Sequence, residues 1–312
     1  MQRRYVLLLM LSLASLTDAW AQQDPSFSHY WAMETAYNPA AAGKTPLLNV
    51  TAAYNMTLVG FKRNPKTVYA NADMPITLIG ATHGVGAQLV NDALGMFSHQ
   101  RLGVQYAYKH KLLGGTISAG VQGSLVSESF DGSDLDLEEA GDPAFATGQA
   151  TGTGVDLAAG LYYAHRNWYV GVSAQHLTAP TIELGETNQL EIARSYYFTG
   201  GYNIKLRNPF LTIHASVFGT TDGLTYKGQM TGRLKYTHEE KMMYAGLSYS
   251  PANSVTLLLG GNFHGITLGY SYEAYTSAIN IGNGSHELFV GYQTDISLSK
   301  KGKNRHQSVR IL

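Results

Sequence analysis

Cysteine is absent from the chain. That excludes a disulfide framework, and it excludes a lipid carried on a cysteine behind a leader peptide. Stability must come from packing, from a closed sheet or from a membrane. Charge is scarce as well: Asp, Glu, Lys and Arg make up 14% of the residues, against about 25% in soluble domains. The formal net charge is zero, so the bulk electrostatic footprint of a nucleic-acid binder is missing. Long apolar runs are also missing. Beyond the first twenty residues nothing approaches the ~18 consecutive apolar residues of a spanning helix, which excludes transmembrane helices from the mature protein.

The first residues have their own logic. Arg3 and Arg4 precede an apolar run from Val6 to Leu16, and Ala19-Trp20-Ala21 supplies the small-x-small pattern of a signal-peptidase site. The run is about 11 residues, against the ~20 that a helical anchor needs. Residues 1–21 are therefore expected to be a cleaved signal peptide, and the mature chain to begin at Gln22-Gln23-Asp24. The remainder is rich in Gly (34) and Tyr (21), with a mean hydropathy of −0.12. A membrane barrel has this profile, because its outward side chains are apolar and its inward ones small or polar.

After Leu47 the dominant periodicity is two. Ile117, Ala119, Val121, Gly123 and Leu125 alternate with Thr116, Ser118, Gly120, Gln122 and Ser124. Leu102, Val104, Tyr106 and Tyr108 alternate with Gly103, Gln105, Ala107 and Lys109, and Ile266, Leu268, Tyr270 and Tyr272 with Thr267, Gly269, Ser271 and Glu273. Segments of this kind fall at 47–59, 68–77, 83–92, 97–109, 115–128, 152–165, 168–178, 195–207, 210–219, 225–237, 241–250, 254–263, 266–276 and 286–296. Each is about ten residues, the length of a tilted spanning strand. The prediction is an all-β transmembrane antiparallel barrel of about 14 strands, an even number as single-chain bacterial barrels have.

Loop lengths support this reading independently of alternation. On the side carrying both termini, expected to be periplasmic, the connections are short: His110–Gly114, Arg166–Asn167, Asn208–Pro209, His238–Glu240 and His264–Gly265. The two longest, about 129–151 and 179–194, both fall on the opposite, outer side. Tyr162, Tyr163, Trp168 and Tyr169 flank one short turn, as in an interfacial aromatic girdle.

The most specific segment precedes the first strand. It reads Gln23-Asp24-Pro25-Ser26-Phe27-Ser28-His29-Tyr30, then Tyr37-Asn38-Pro39-Ala40-Ala41-Ala42-Gly43. Near the other end stand Tyr270-Ser271-Tyr272, an Asn/Gly-rich loop, Gly284-Ser285-His286-Glu287-Leu288 and Gly291-Tyr292. Both ends resemble the PorP/SprF family of type IX secretion membrane proteins, with local departures at Trp31-Ala32-Met33-Glu34-Thr35 and in the basic tail. The resemblance implies an outer-membrane barrel in Bacteroidetes-type bacteria that serves the export or display of cell-surface proteins, including gliding-motility adhesins. It implies partners too: periplasmic and inner-membrane components of the secretion machine, and sometimes a dedicated large adhesin.

Four features invite a sharper reading. Segment 22–46 is expected to enter the lumen or cap the periplasmic mouth, with Asn38-Pro39 and Gly43 marking turns. Its family motif nominates Asp24, Pro25, Phe27, Tyr30, Asn38, Pro39 and Gly43 for contacts with the barrel, and the C-terminal motif adds Ser285, His286 and Glu287. The run Glu128, Asp131, Asp134, Asp136, Glu138, Glu139 and Asp142 reads as a solvated outer loop suited to an exported partner, without the register of an EF-hand. Lys300, Lys301, Lys303, Arg305 and Arg310 give residues 297–312 the look of a basic periplasmic tail.

Catalysis is not expected. His99, His165, His176 and His286 are the candidates, with Ser98 and Ser285 adjacent to two of them. Neighbours on a strand face opposite ways, so neither adjacent pair can form a dyad; no Gly-x-Ser-x-Gly elbow is present and no spacing recommends a metal or cofactor. The reading is therefore an outer-membrane component of type IX secretion. The alternative is a general porin or small-solute transporter, which a ring of inward charges would favour.

Overall fold

A computed structural model describes residues 24–132, 149–185, 188–239, 241–251, 253–276 and 283–295. Fourteen antiparallel strands close into one barrel. They are β1 (Leu48–Met56), β2 (Lys66–Leu78), β3 (Ala81–Leu94), β4 (Phe97–Leu112), β5 (Gly115–Asp131), β6 (Gln149–Ala164), β7 (Trp168–Gln175), β10 (Ser195–Lys205), β11 (Leu211–Thr221), β12 (Tyr226–His238), β13 (Lys241–Ser250), β14 (Ser254–Phe263), β15 (Ile266–Tyr275) and β16 (Ser285–Thr294). Each pairs with its sequence neighbour around the wall, and β1 closes on β16. All fourteen predicted segments are strands. Among the described residues no helix is long and apolar enough to cross a membrane.

The alternation has a simple cause. Outward residues such as Leu102, Val104, Val121, Leu125, Val155 and Leu268 are exposed on the outer surface, where lipid tolerates apolar side chains at no cost. Their neighbours turn into the ring. At the end carrying Leu48 and Thr294, here the terminal end, the two-residue turns include Ile79-Gly80, Leu113-Gly114 and His264-Gly265. All six residues have positive φ, the conformation whose twist matches that of the flanking strands.

Strand lengths differ from the ten residues predicted. β4, β5 and β6 are 16, 17 and 16 residues long. Their outward face gives the reason. Leu102, Leu125 and Val155 form one register row; the next row toward the opposite, loop end is Gln100, Ser127 and Thr153, followed by Ser98, Ser129 and Thr151. The outward face turns polar at a single level, so these three strands rise beyond the apolar belt as a wall. The extension corrects the placement of Glu128. It is not a loop residue but a buried, inward-facing member of β5, hydrogen-bonded to His99 on β4. Asp131 ends the same strand; the other acidic residues of that run lie outside the described residues.

The long outer connection expected at 179–194 carries structure of its own. Thr181–Leu184 (β8) and Asn188–Glu191 (β9) pair as a separate two-stranded hairpin. The hairpin packs on the inner side of the wall: Ile182 is buried with Val126 and Ile192, and a β-carbon on inward Gly152 would collide with Ile182 and Glu183. Strands of four residues leave too short an alternation to recognise. The core of the molecule lies inside the ring as well, built around segment 24–46, which carries one helical turn, α1 (Glu34–Tyr37), and a 3-10 turn at Pro39–Ala41.

Candidate functional site

Segment 24–46 runs through the lumen. Asp24 lies near the loop end, beside Arg101, His176 and Tyr197, and Gly43 lies toward the terminal end beside Asp73 and Gly84. The chain then turns into β1. Tyr30, Met33, Ala40 and Ala42 are 0% exposed, so the segment is a plug with its own buried core.

Small side chains on the wall make room for it. Gly84, Ala107, Gly120, Gly160 and Ser173 form one continuous register row across β3, β4, β5, β6 and β7. The motif Asn38–Gly43 lies directly on this row: a β-carbon at Gly84 would strike the Ala42 carbonyl, at Gly120 the Ala40 backbone, and at Gly160 the Asn38 carboxamide. Gly43 itself has φ +62, with Met74 O 2.7 Å from the position its β-carbon would take. Close backbone approach therefore requires glycine at Gly84, Gly120 and Gly160 on the wall and at Gly43 in the motif.

An irregular segment away from water must find partners for its backbone groups. The wall supplies them. The last carbonyls of α1, which no intrahelical donor reaches, accept from inward-facing side chains: Thr35 from Gln105 (2.7 Å), Ala36 and Tyr37 from Gln175 (2.7 and 2.9 Å), and Tyr37 also from Ser173 (2.8 Å). At the other end of the plug, the N–H groups of Ser28 and His29 donate to the two oxygens of Glu287 (2.7 and 2.9 Å). Asn38 caps the 3-10 turn by accepting from Ala40 N–H (2.9 Å) and donates through its amide to the Leu161 carbonyl (3.0 Å). The Gly43 N–H donates to Asp73 (2.8 Å).

Aromatic rings fill the remaining space. Tyr30 stacks on Phe218 with ring centres 5.1 Å apart; Tyr37 contacts Phe218 (4.7 Å) and Tyr197 (5.4 Å); Phe27 contacts Tyr69 (5.5 Å). The Arg233 guanidinium lies 3.5 Å from the ring centre of Trp31, and Trp31 meets Tyr244 edge-on. Glu34 pairs with Lys44 (2.7 Å) within the plug and accepts from Tyr162 on the wall. The stretch that departs from the family pattern thus lies in the plug's middle, where Trp31 and Glu34 have their own wall partners.

Two clusters of histidine and carboxylate anchor the end nearer the loops. His29 Nδ1 pairs with Glu287 at 2.6 Å, both side chains buried. His176, just beyond β7, is gripped from both sides: Nε2 by Asp24 (3.0 Å) and Nδ1 by Asp156 (2.9 Å). Burial alone would lower the His176 pKa, but the Asp24 and Asp156 carboxylates raise it to about 9. Burial opposes charge on Asp24 too, yet His176 and Arg101 hold it well below the usual carboxylate range. With both ring nitrogens engaged by carboxylates, His176 is arranged as a clamp.

The sequence-nominated residues separate in space. Asp24, Phe27, Tyr30, Asn38, Pro39 and Gly43 all lie in the plug and touch the wall or support its turns, and Pro25 faces a cavity at the loop end. Glu287 joins them. Ser285 does not: its hydroxyl accepts from the Leu58 N–H (3.1 Å) and bonds Tyr275 (2.6 Å). His286 faces outward against Tyr270 and Tyr272. Sequence reasoning missed His29, Arg101, Asp73, Gln105, Ser173 and Gln175. Most of these occupy inward positions of the alternation, and a charge or long amide at such a position was the available signal. The leader and the basic tail lie outside the described residues.

Among solved structures, the CymD monoaromatic hydrocarbon channel superposes with a TM-score of 0.52 at 11% identity, covering 85% of this chain and 93% of that one. The Ralstonia pickettii toluene transporter TbuX gives 0.47 at 11% identity over 84% and 92%. A TodX mutant, also a monoaromatic hydrocarbon channel, gives 0.47 at 12% identity over 83% and 93%. At such identity the likeness is one of fold. A search of curated proteins found no match. The sequence profile of the type IX secretion system membrane protein PorP/SprF, in contrast, matches residues 19–292, from before the plug to within the last strand. The chain belongs to the PorP/SprF family and is an outer-membrane β-barrel component of the type IX secretion system.

Proposed function

We propose that this barrel is a plugged platform for the export or surface attachment of secreted proteins such as adhesins, and that it carries no solute traffic. The observation that carries this reading is the plug, whose backbone is bonded by side chains of the wall from Glu287 at one end to Asp73 at the other. A lumen built for a diffusing solute would leave those inward groups to water. The terminal end, with both barrel termini, then faces the periplasm, where components of the secretion machine dock. The taller wall of β4–β6 faces the exterior and offers a polar surface to exported partners. The organism is a Bacteroidetes-type bacterium, the adhesins include those of gliding motility, and the chain reaches the outer membrane through a signal peptide cleaved after Ala21.

Deletion of the gene tests the proposal. Surface proteins carrying a type IX C-terminal signal should disappear from the surface proteome and return on complementation. An unchanged surface proteome would sink the export reading.

A further inference from the structure

We propose that Lys205, Arg233 and Lys235, inside the barrel near its terminal end, form a receptor for an acidic, extended peptide segment of a periplasmic partner. The inference deepens the platform reading and rests on it for the side from which the partner arrives.

Strand register sets these residues side by side. Lys205 on β10, Thr212 on β11 and Lys235 on β12 form one row, and Asn203, His214 and Arg233 form the next row deeper in. Their strand neighbours Ile204, Leu234 and Tyr236 are exposed on the outer surface, so both rows face the lumen. Neither row contains a carboxylate, and among the described residues none of the three cations makes an ion pair. Glu34 and Asp73, the carboxylates nearer this mouth, are already engaged by Lys44 and by the Gly43 N–H. The Arg233 guanidinium lies on Trp31 with its Nε buried, and among the described residues that donor has no hydrogen-bond partner. Like charges held together beside an unused buried donor are an arrangement that an arriving anion stabilises.

Spacing selects the class of anion. The two rows lie about 7 Å apart along the strands, and Lys205 and Lys235 about 10 Å apart across them. The cations therefore do not converge on one point, as a bound phosphate would require. Carboxylates on alternate residues of an extended chain repeat at the same ~7 Å. Beside Lys235 lies a cavity of about 410 Å³ whose lining includes Trp31, Asn49, Asn71, Asn262 and Gln293. Its carboxamides donate and accept as peptide groups do, so the cavity suits the backbone of a segment whose acidic side chains reach the cations.

The test uses the full chain, purified in detergent, and a fluorescein-labelled peptide of alternating Ser and Glu whose binding is read by anisotropy. A peptide of alternating Ser and Lys and inorganic phosphate are the comparisons. The Ser/Glu peptide should bind, the Ser/Lys peptide should not, and phosphate at the same concentration should not displace the bound one. Lys205→Gln/Lys235→Gln should weaken binding about tenfold for each cation lost. Lys62→Gln/Lys66→Gln removes the same charge from exposed positions at the loop end and should leave binding unchanged. Absence of binding to the wild-type chain, equal weakening by the two pairs, or displacement by phosphate overturns the proposal. A second measurement needs no variant. Carbodiimide treatment of the wild-type complex should join peptide carboxylates to Lys205 or Lys235, mapped by mass spectrometry, and coupling confined to other lysines overturns the proposal. Neither assay requires secretion. Lost binding would strike this site alone, whereas an unchanged surface proteome on gene deletion would strike the export reading alone.

Discussion

The Asn38 carboxamide fills the space that a β-carbon on Gly160 would need. Side chain and missing side chain belong to one design, in which a turn of the plug lies on a row of small wall residues. Gly160→Ala and Gly120→Ala should therefore destabilise the barrel by the about 1–3 kcal/mol typical of overpacking. Gly123→Ala, where a β-carbon would meet nothing within 4 Å, should be close to neutral. Thermal shift of the heat-modifiable gel band in detergent measures the difference.

Gly43 allows strain and crowding to be separated. Gly43→Ala places a side chain at φ +62 against the backbone of Met74 and Gly84, whereas Gly95→Ala meets the same kind of strain at φ +66 in open space. The left-handed conformation alone costs about 1–2 kcal/mol. The expectation is a loss of that order at Gly95 and a larger one at Gly43. Equal losses would show that the plug does not press on the wall there.

Removal of Glu287 leaves the Ser28 and His29 N–H groups and the His29 ring without their carboxylate. Glu287→Ala should cost about 1–3 kcal/mol for each buried donor it leaves unsatisfied, and Glu287→Gln less. A double-mutant cycle with His29→Ala should return a coupling energy well above zero; additive losses would dissolve the pair as an anchor.

Anchoring by Asp24 and His176 is bounded on both sides by pH. Folding raises His176 from its unfolded value near 6.5 to about 9, so its contribution is complete below about pH 6.5 and lost as pH rises through 9. Asp24 is depressed in the folded protein, so its contribution is present above the unfolded value of about 3.9 and lost as pH falls through the folded one. Protection of residues 24–30 from a protease should be greatest between about pH 4 and 6.5 and weakest in alkali. His176→Asn should lose the alkaline transition, and a wild-type profile in that variant would assign the transition elsewhere.

Conductance separates a plugged lumen from a porin. The full chain in planar bilayers should conduct weakly, and a chain lacking residues 24–43 but retaining its heat-modifiable band should conduct strongly. Large steady conductance from the full chain would restore the porin reading.

The barrel was legible because lipid imposes period two on every strand it touches. The ends of β4–β6 were not, since alternation continues above the belt with Gln100, Ser127 and Thr153 in the outward places. The plug was nominated from its motif, but its receptor was hidden. Gly84, Gly120, Gln105 and Ser173 look the same whether an inward face lines water or receives a polypeptide. Only the register that aligns Gly84 with Ala107, Gly120 and Gly160 distinguishes the two.

Asn55 and Glu287 are register partners across the seam where β1 meets β16. Every other pair of neighbouring wall strands is joined by the chain itself; this pair alone has no connecting turn. Asn55 donates to the Ser26 carbonyl while Glu287 accepts from Ser28 and His29. The plug therefore works as a clasp across the one joint that the chain cannot fix by connectivity. A slip of one residue at that joint would turn Glu287 toward lipid and undo the clasp. Docking of the plug and correct closure of the cylinder are thus a single event, and a misregistered barrel cannot be a plugged one.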